Sequence, residues 1–283
     1  DNLAENGKVL ARLMEQWLTA DMPDMVVWFR RECRVPSAMV DRIVPRTAPQ
    51  ALTALERHLG MRDAGAVFTE GFSQWVIEDD FAGPRPQWER HGVQLVNDVA
   101  PFETAKLRML NGAHSLLAYC GLEAVYTYVH QAVADPRLAA LAERLMRDEA
   151  LPTITAAPGQ DLAAYAGQLM QRFGDPALMH RLDQIAMDGS QKIPQRWLDT
   201  AAVLTRRSLP CDAIAAGFAA WVRHLADGRC VDDPHGEELH AIAITGGAGG
   251  IVDRCLGAGT GMTALWSGYQ HLAQTLLSAE RED

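Results

Sequence analysis

No apolar run in this 283-residue chain reaches the ~18 consecutive residues that a membrane-crossing helix requires, so no span is expected. Positive charge is also short. Lys and Arg number 26 against 36 Asp and Glu, leaving a net charge of -10, and no basic face is at hand to neutralise phosphates, which excludes a nucleic-acid partner. Cysteine pairing is absent: Cys33, Cys120, Cys211, Cys230 and Cys255 are scattered, odd in number and without a C-x-x-C pair. That usage points to reduced thiols in a cytoplasmic protein rather than to a disulfide framework or a zinc site. His235 and His240 stand five apart in a Gly/Glu-containing segment, the wrong spacing for a helical zinc pair, so no metal is expected. Nor is there a basic-then-apolar leader with a small-residue cleavage site. The first residues, Asp1-Asn-Leu-Ala-Glu-Asn-Gly7, run into an amphipathic helix with no initiator Met, so the chain is expected to begin in the middle of a domain.

What remains is an ordinary globular composition, 48% hydrophobic and 22% charged, enough to bury the core of one large domain or two smaller ones. From Gly7 to about Ala20, Val9, Leu10, Leu13, Met14, Trp17 and Leu18 recur at helical spacing, with Asn2 or Asn6 as the cap. Met39–Val44 and Phe68–Ile77 read as strands, Ala48–Leu59 as a short helix between them, and Asp79–Trp88 as a loop around Gly83-Pro-Arg-Pro86, on β-branched and aromatic content and on breaker residues. From Pro101 to Glu280 the chain is rich in Ala, Leu, Gln and Arg, with apolar residues three and four apart and Pro or Gly breaks between the runs. That is a string of helices joined by short turns. The fold expected is mainly α: an all-helical domain at residues 99–283, preceded at residues 1–98 by a remnant of an α/β, Rossmann-type domain.

The most informative stretch is Lys106-Leu-Arg-Met-Leu-Asn111-Gly-Ala-His114. On an α-helix at ~100° per residue these three polar groups fall within an arc of ~140° and spread over ~12 Å of axis. Their chemistry suits oxidation of a secondary alcohol. A lysine whose pKa is lowered can take the hydroxyl proton, an asparagine NH2 can donate to the alkoxide or carbonyl oxygen, and a histidine can orient a neighbouring hydroxyl. By spacing alone, a solvated Lys, a capping Asn and a satisfied core His are the readier account of the same residues.

At Lys106, Asn111 and His114 the chain resembles the polyol-specific long-chain dehydrogenases, the mannitol dehydrogenase family, whose K-x4-N-x2-H signature these residues match. Further blocks match in order: Asp1-Asn2-Leu3 with Asn6-Gly7, Met39-Val-Asp41-Arg-Ile43, Gln74-Trp-Val-Ile-Glu-Asp79, and Asp188-Gly-Ser-Gln-Lys192. The resemblance implies NAD- or NADP-dependent, metal-free interconversion of a polyol or sugar acid with its keto form. It implies Lys106 as general base or acid, Asn2 and Asn111 holding the reacting oxygen, and His114, Asp41 and Lys192 lining the substrate site. It further implies a cofactor domain upstream of Asp1, so that the chain by itself is expected to bind NAD poorly and to be inactive. Mannitol-type members carry an arginine eight residues before the Lys192 position. Here that residue is Gln184, in a block similar to the fructuronate reductase branch, with Arg196 or Lys192 as the cation for a substrate carboxylate. Arg196 reads equally as part of a surface salt bridge. A neutral polyol substrate and a non-catalytic helical module remain alternatives. The glycine clusters Thr245–Gly250 and Gly257–Gly261 imitate phosphate-binding loops, but they lack the strand before and the acidic residue after that a dinucleotide fingerprint needs, and are read as turns.

Overall fold

The computed structural model describes residues 3–228, 232–257 and 264–278. Asn2, Cys230 and the end of the Gly257–Gly261 cluster lie outside the described residues. In chain order the first elements are α1 (Asn6–Asp21), α2 (Met25–Glu32), β1 (Ala38–Asp41), α3 (Pro49–Leu59), β2 (Gln74–Glu78), β3 (Gln94–Val96) and α4 (Ala100–Ala105). They are followed by α5 (Gly112–Glu123), α6 (Val129–Ala134), α7 (Pro136–Arg144), α8 (Leu162–Phe173), α9 (Leu182–Ala186) and α10 (Gly189–Ile193). The last are α11 (Asp199–Arg206), α12 (Asp212–Ala226), α13 (Gly236–Leu256) and α14 (Ala273–Leu276). Contacts divide the chain into two compact units, one of Asp1–Val44, Val67–Thr104 and Ala156–Pro158, the other of Pro45–Ala66, Ala105–Thr155 and Gly159–Asp283.

In the first unit β1 pairs antiparallel with β2, and β2 parallel with β3, giving the order β1-β2-β3. Met39, Val76, Val99 and Phe102 bury their side chains together as its small core. Asn6 does not cap α1. Its carboxamide bonds both backbone groups of Ala38, donating at 2.6 Å and accepting at 3.0 Å, and so ties the helix to the first strand. Gly7 follows because a Cβ there would lie 2.4 Å from the Val35 carbonyl oxygen. The backbone N–H of Glu5 instead finds the Glu103 carboxylate at 3.2 Å. The expectation that residues 1–98 are a remnant is therefore corrected. They contribute a three-stranded sheet, flanking helices and a core that includes Met39 and Val76. The expected strands Met39–Val44 and Phe68–Ile77 overlap β1 and β2, whereas β3 escapes a sequence reading because it is only three residues long and its partner lies across a Pro/Gly-rich loop.

The second unit is helical throughout its described elements. α5 sits at its centre, with every residue from Gly112 to Gly121 buried; a helix apolar on all sides belongs inside. Around it pack α6, α7, α9 and α12, and Trp197, Trp221, Tyr119, Phe173 and Phe218 fill the interior. Local chemistry sets several ends: Pro136 opens α7 with Asp135 accepting from the Arg137 N–H at 2.9 Å, Asp161 caps α8 through the Ala164 N–H at 2.9 Å, and Gly60 closes α3 at φ 68°. The cluster Thr245–Gly250, expected as a turn, lies inside α13, which is kinked at Gly247 (φ 54°, ψ −150°). No described helix is long and apolar enough to cross a membrane. Cys33, Cys120, Cys211 and Cys255 are free thiols, and burial pushes Cys120, Cys211 and Cys255 up to about 12.

Candidate active site

Lys106–Asn111 is not α-helical. It forms a π-helical turn leading into α5, and the Gly112 N–H reaches back five residues to the Leu107 carbonyl. Two further π turns, Leu145–Ala150 and Pro194–Leu198, pack against it. Gly112 stands where they meet. Its carbonyl accepts from the Trp197 indole at 3.0 Å, and a Cβ on it would lie 3.2 Å from the Arg196 carbonyl oxygen and 3.3 Å from a Leu145 methyl. Such single wide turns are rare in ordinary helices and frequent at functional sites.

The wide turn alters the predicted geometry. With i→i+5 hydrogen bonding, Asn111 follows Lys106 by roughly one turn, so the uniform ~100° step does not hold between them. Both residues are half-buried, and His114 lies buried one α-helical turn further on. Its ring packs 4.6 Å from Phe173 and edge-on to His180 at 5.1 Å. Burial, with smaller contributions from His180, Arg196 and Arg172, holds His114 well below the usual histidine range. It is therefore neutral at neutral pH. His114 Nε2 and His180 Nδ1 are both buried without a hydrogen-bond partner, and burial brings His180 down to about 4. Nothing local in the sequence points to His180, which the fold alone brings to His114.

The block Asp188–Lys192 makes physical sense residue by residue. Asp188 adopts a left-handed conformation at φ 54°. Gly189 is obligatory, because a Cβ would lie 2.6 Å from both Trp221 Nε1 and the Tyr119 hydroxyl. Ser190 donates to the Asp233 carboxylate through its N–H at 2.7 Å and its hydroxyl at 2.6 Å. Lys192 Nζ donates to the Met187 carbonyl at 2.6 Å and lies 3.7 Å from Asp188. Burial, then the nearby Arg196 charge, lowers its amine from the ordinary lysine value. Arg196 is half-buried. Its guanidinium donates to Ser115 Oγ at 2.7 Å, and desolvation lowers it to about 10. His114, Lys192 and Arg196 are thus electrostatic neighbours.

Gln184 lies on the segment that ends at Met187, whose carbonyl accepts from Lys192. It lines a cleft of about 880 Å³ with Arg46, Gln50, Tyr128, Arg181 and His224, and its side-chain oxygen accepts the Arg46 N–H at 3.2 Å. Asp41, 1% exposed, ends β1 in the first unit.

Comparison with known proteins is consistent along the chain. The model of the mannitol dehydrogenase C-terminal domain matches residues 98–248, and that of the mannitol dehydrogenase Rossmann domain matches residues 1–90. The second match overturns the reading of the N-terminal stretch as a remnant. D-mannonate oxidoreductase of Escherichia coli (strain K12) is 43% identical over 224 residues, covering 79% of this chain and 46% of the relative. Mannitol 2-dehydrogenase of Aspergillus terreus is 37% identical over 256 residues, covering 87% of this chain and 51% of the relative. The solved Pseudomonas fluorescens mannitol 2-dehydrogenase, a ternary complex with NAD and D-mannitol, superposes with a TM-score of 0.84 at 30% identity, over 99% of this chain and 57% of that one. The chain spans about half the length of the curated relatives it matches. From the two domain matches and these relatives, the chain belongs to the mannitol dehydrogenase family.

Proposed function

We propose that this protein interconverts a sugar acid and its keto form, reducing fructuronate to mannonate with a nicotinamide cofactor. The observation that carries the reading is the Lys106–Asn111 π turn feeding into the helix that holds His114, in a chain similar to D-mannonate oxidoreductase. The Lys106 amine gives a proton to the substrate carbonyl oxygen in reduction and takes it back in oxidation. The Asn111 NH2 donates to that oxygen as charge builds on it, sharing the task with Asn2. His114, kept neutral by burial, orients a substrate hydroxyl without adding a charge. Asp41 and Lys192 read further hydroxyls.

Among the described residues, no glycine-rich turn leads from a strand into a helix, the arrangement that a dinucleotide pyrophosphate requires. The described residues therefore do not form that cradle. When bound, the nicotinamide supplies and accepts the hydride. NADH oxidation by the protein with fructuronate, compared with fructose, tests the proposal. Preference for fructuronate supports it. Preference for fructose would move the assignment to a neutral polyol, in keeping with the similarity to mannitol 2-dehydrogenase.

A further inference from the structure

A sugar-acid substrate needs a cation at its carboxylate, and each of the two cations that the sequence nominates already donates to a protein oxygen. Arg196 donates to Ser115, and Lys192 to the Met187 carbonyl beside Asp188. The cleft that contains Gln184 offers a different one. It measures about 880 Å³, within the ~300–1,000 Å³ range of small-molecule sites. One wall is the segment 179–187, pinned by the Tyr128–Arg181 bridge and by the Val129 N–H to His180 carbonyl and Leu182 N–H to Thr127 carbonyl bonds, each at 3.0 Å. The same segment runs on to Met187, whose carbonyl holds Lys192.

Of the two arginines lining this cleft, Arg181 is neutralised in a forked pair with Asp183, 2.9 Å from Nε to the carboxylate. Arg46 has no carboxylate partner among the described residues. Its backbone N–H occupies the Gln184 side-chain oxygen at 3.2 Å, which leaves the Gln184 NH2 as a donor. Asp232 also lines the cleft and can accept from hydroxyl groups. One guanidinium without an acid partner, one amide donor and one carboxylate acceptor suit a ligand with a carboxylate at one end and hydroxyls along the rest.

We propose that Arg46, assisted by the Gln184 amide, is the seat of the substrate carboxylate and sets the preference for a polyhydroxy acid over a neutral polyol. This rests on the sugar-acid reading above. The test is isothermal titration of D-mannonate and D-mannitol into the wild-type protein, Arg46→Gln and Arg46→Lys. The Arg46 side chain is exposed, and unfolding curves check that both variants keep the fold. Losing a charge-assisted fork is expected to shift the mannonate-to-mannitol ratio of dissociation constants by about tenfold to a hundredfold in Arg46→Gln, with a smaller shift in Arg46→Lys. A wild-type protein that favours mannonate, together with an unmoved ratio in Arg46→Gln, overturns the seat and leaves the sugar-acid reading standing. A wild-type protein that does not favour mannonate overturns both.

Discussion

The indole N–H of Trp197 donates to the carbonyl of Gly112 at 3.0 Å, joining the π turn that contains Arg196 to the end of the π turn that contains Lys106 and Asn111. The proposed proton-handling residues are thereby braced against a second helix instead of standing on one helix alone. Side chains held this way keep their geometry through the reaction.

Lys106→Ala is expected to lower turnover by about 10²–10⁴-fold, the usual cost of removing a general acid or base. Asn111→Ala is expected to lower it by about 10²–10³-fold through loss of the oxyanion donor. Both residues are half-buried and neither belongs to the fully buried core, so urea unfolding midpoints should stay near wild type. Steady-state rates with fructuronate and NADH measure the effect, and full activity in Lys106→Ala would falsify the assignment.

Gly189→Ala addresses packing. The added methyl would sit 2.6 Å from Trp221 Nε1 and from the Tyr119 hydroxyl, two fully buried rings with little freedom to withdraw. Overpacking of this kind costs about 1–3 kcal/mol. A lower urea midpoint with unchanged slope is the expected result, and wild-type stability would show that the rings can move.

Glu149 is buried at the start of α12 and accepts the N–H groups of Ala213 at 2.6 Å and Ile214 at 2.9 Å. Burial raises its carboxyl from 4.5 to about 7 despite those bonds. Since the folded value lies above the unfolded one, its contribution to stability is complete below pH 4.5 and is lost as pH rises through 7. Glu149→Gln should therefore flatten the decline in stability across that window. Denaturant titrations at several pH values measure it, and an unchanged profile would contradict the assignment.

His180 acts with the opposite sign. Its folded value of about 4 lies below the ordinary 6.5, so its contribution is complete above pH 6.5 and is lost as pH falls towards 4. His180→Phe keeps a ring edge-on to His114 and removes the titration. Relative to wild type, the variant should gain stability as the solution is acidified from pH 6.5. If the two proteins track each other in parallel, His180 does not titrate as described.

The helices were legible because their apolar spacing is strong: α1 was expected at Gly7–Ala20 and spans Asn6–Asp21, and α3 at Ala48–Leu59 spans Pro49–Leu59. The Lys106–Asn111–His114 pattern was read as one regular α-helix, and the geometry differs from that. Ala105 and Gly112 on either side have ordinary α-helical angles, and no residue preference announces the wide turn between them. Packing against Leu145 and Trp197 accompanies it instead. His180 and Arg46 were invisible for a related reason: each matters through a partner far along the chain, His114 in one case and Gln184 in the other.

A π turn amounts to one surplus residue in a helical ladder. Excising a single residue between Lys106 and Asn111 would let the helix regain its regular i→i+4 ladder, so the change would look benign by helix content. Lys106 and Asn111 would then stand four apart in a regular helix, still about one turn from each other, so the amine and the amide would keep one face and only the wide turn between them would be lost. The surplus residue leaves the helix on either side in register, and its effect is confined to the turn itself.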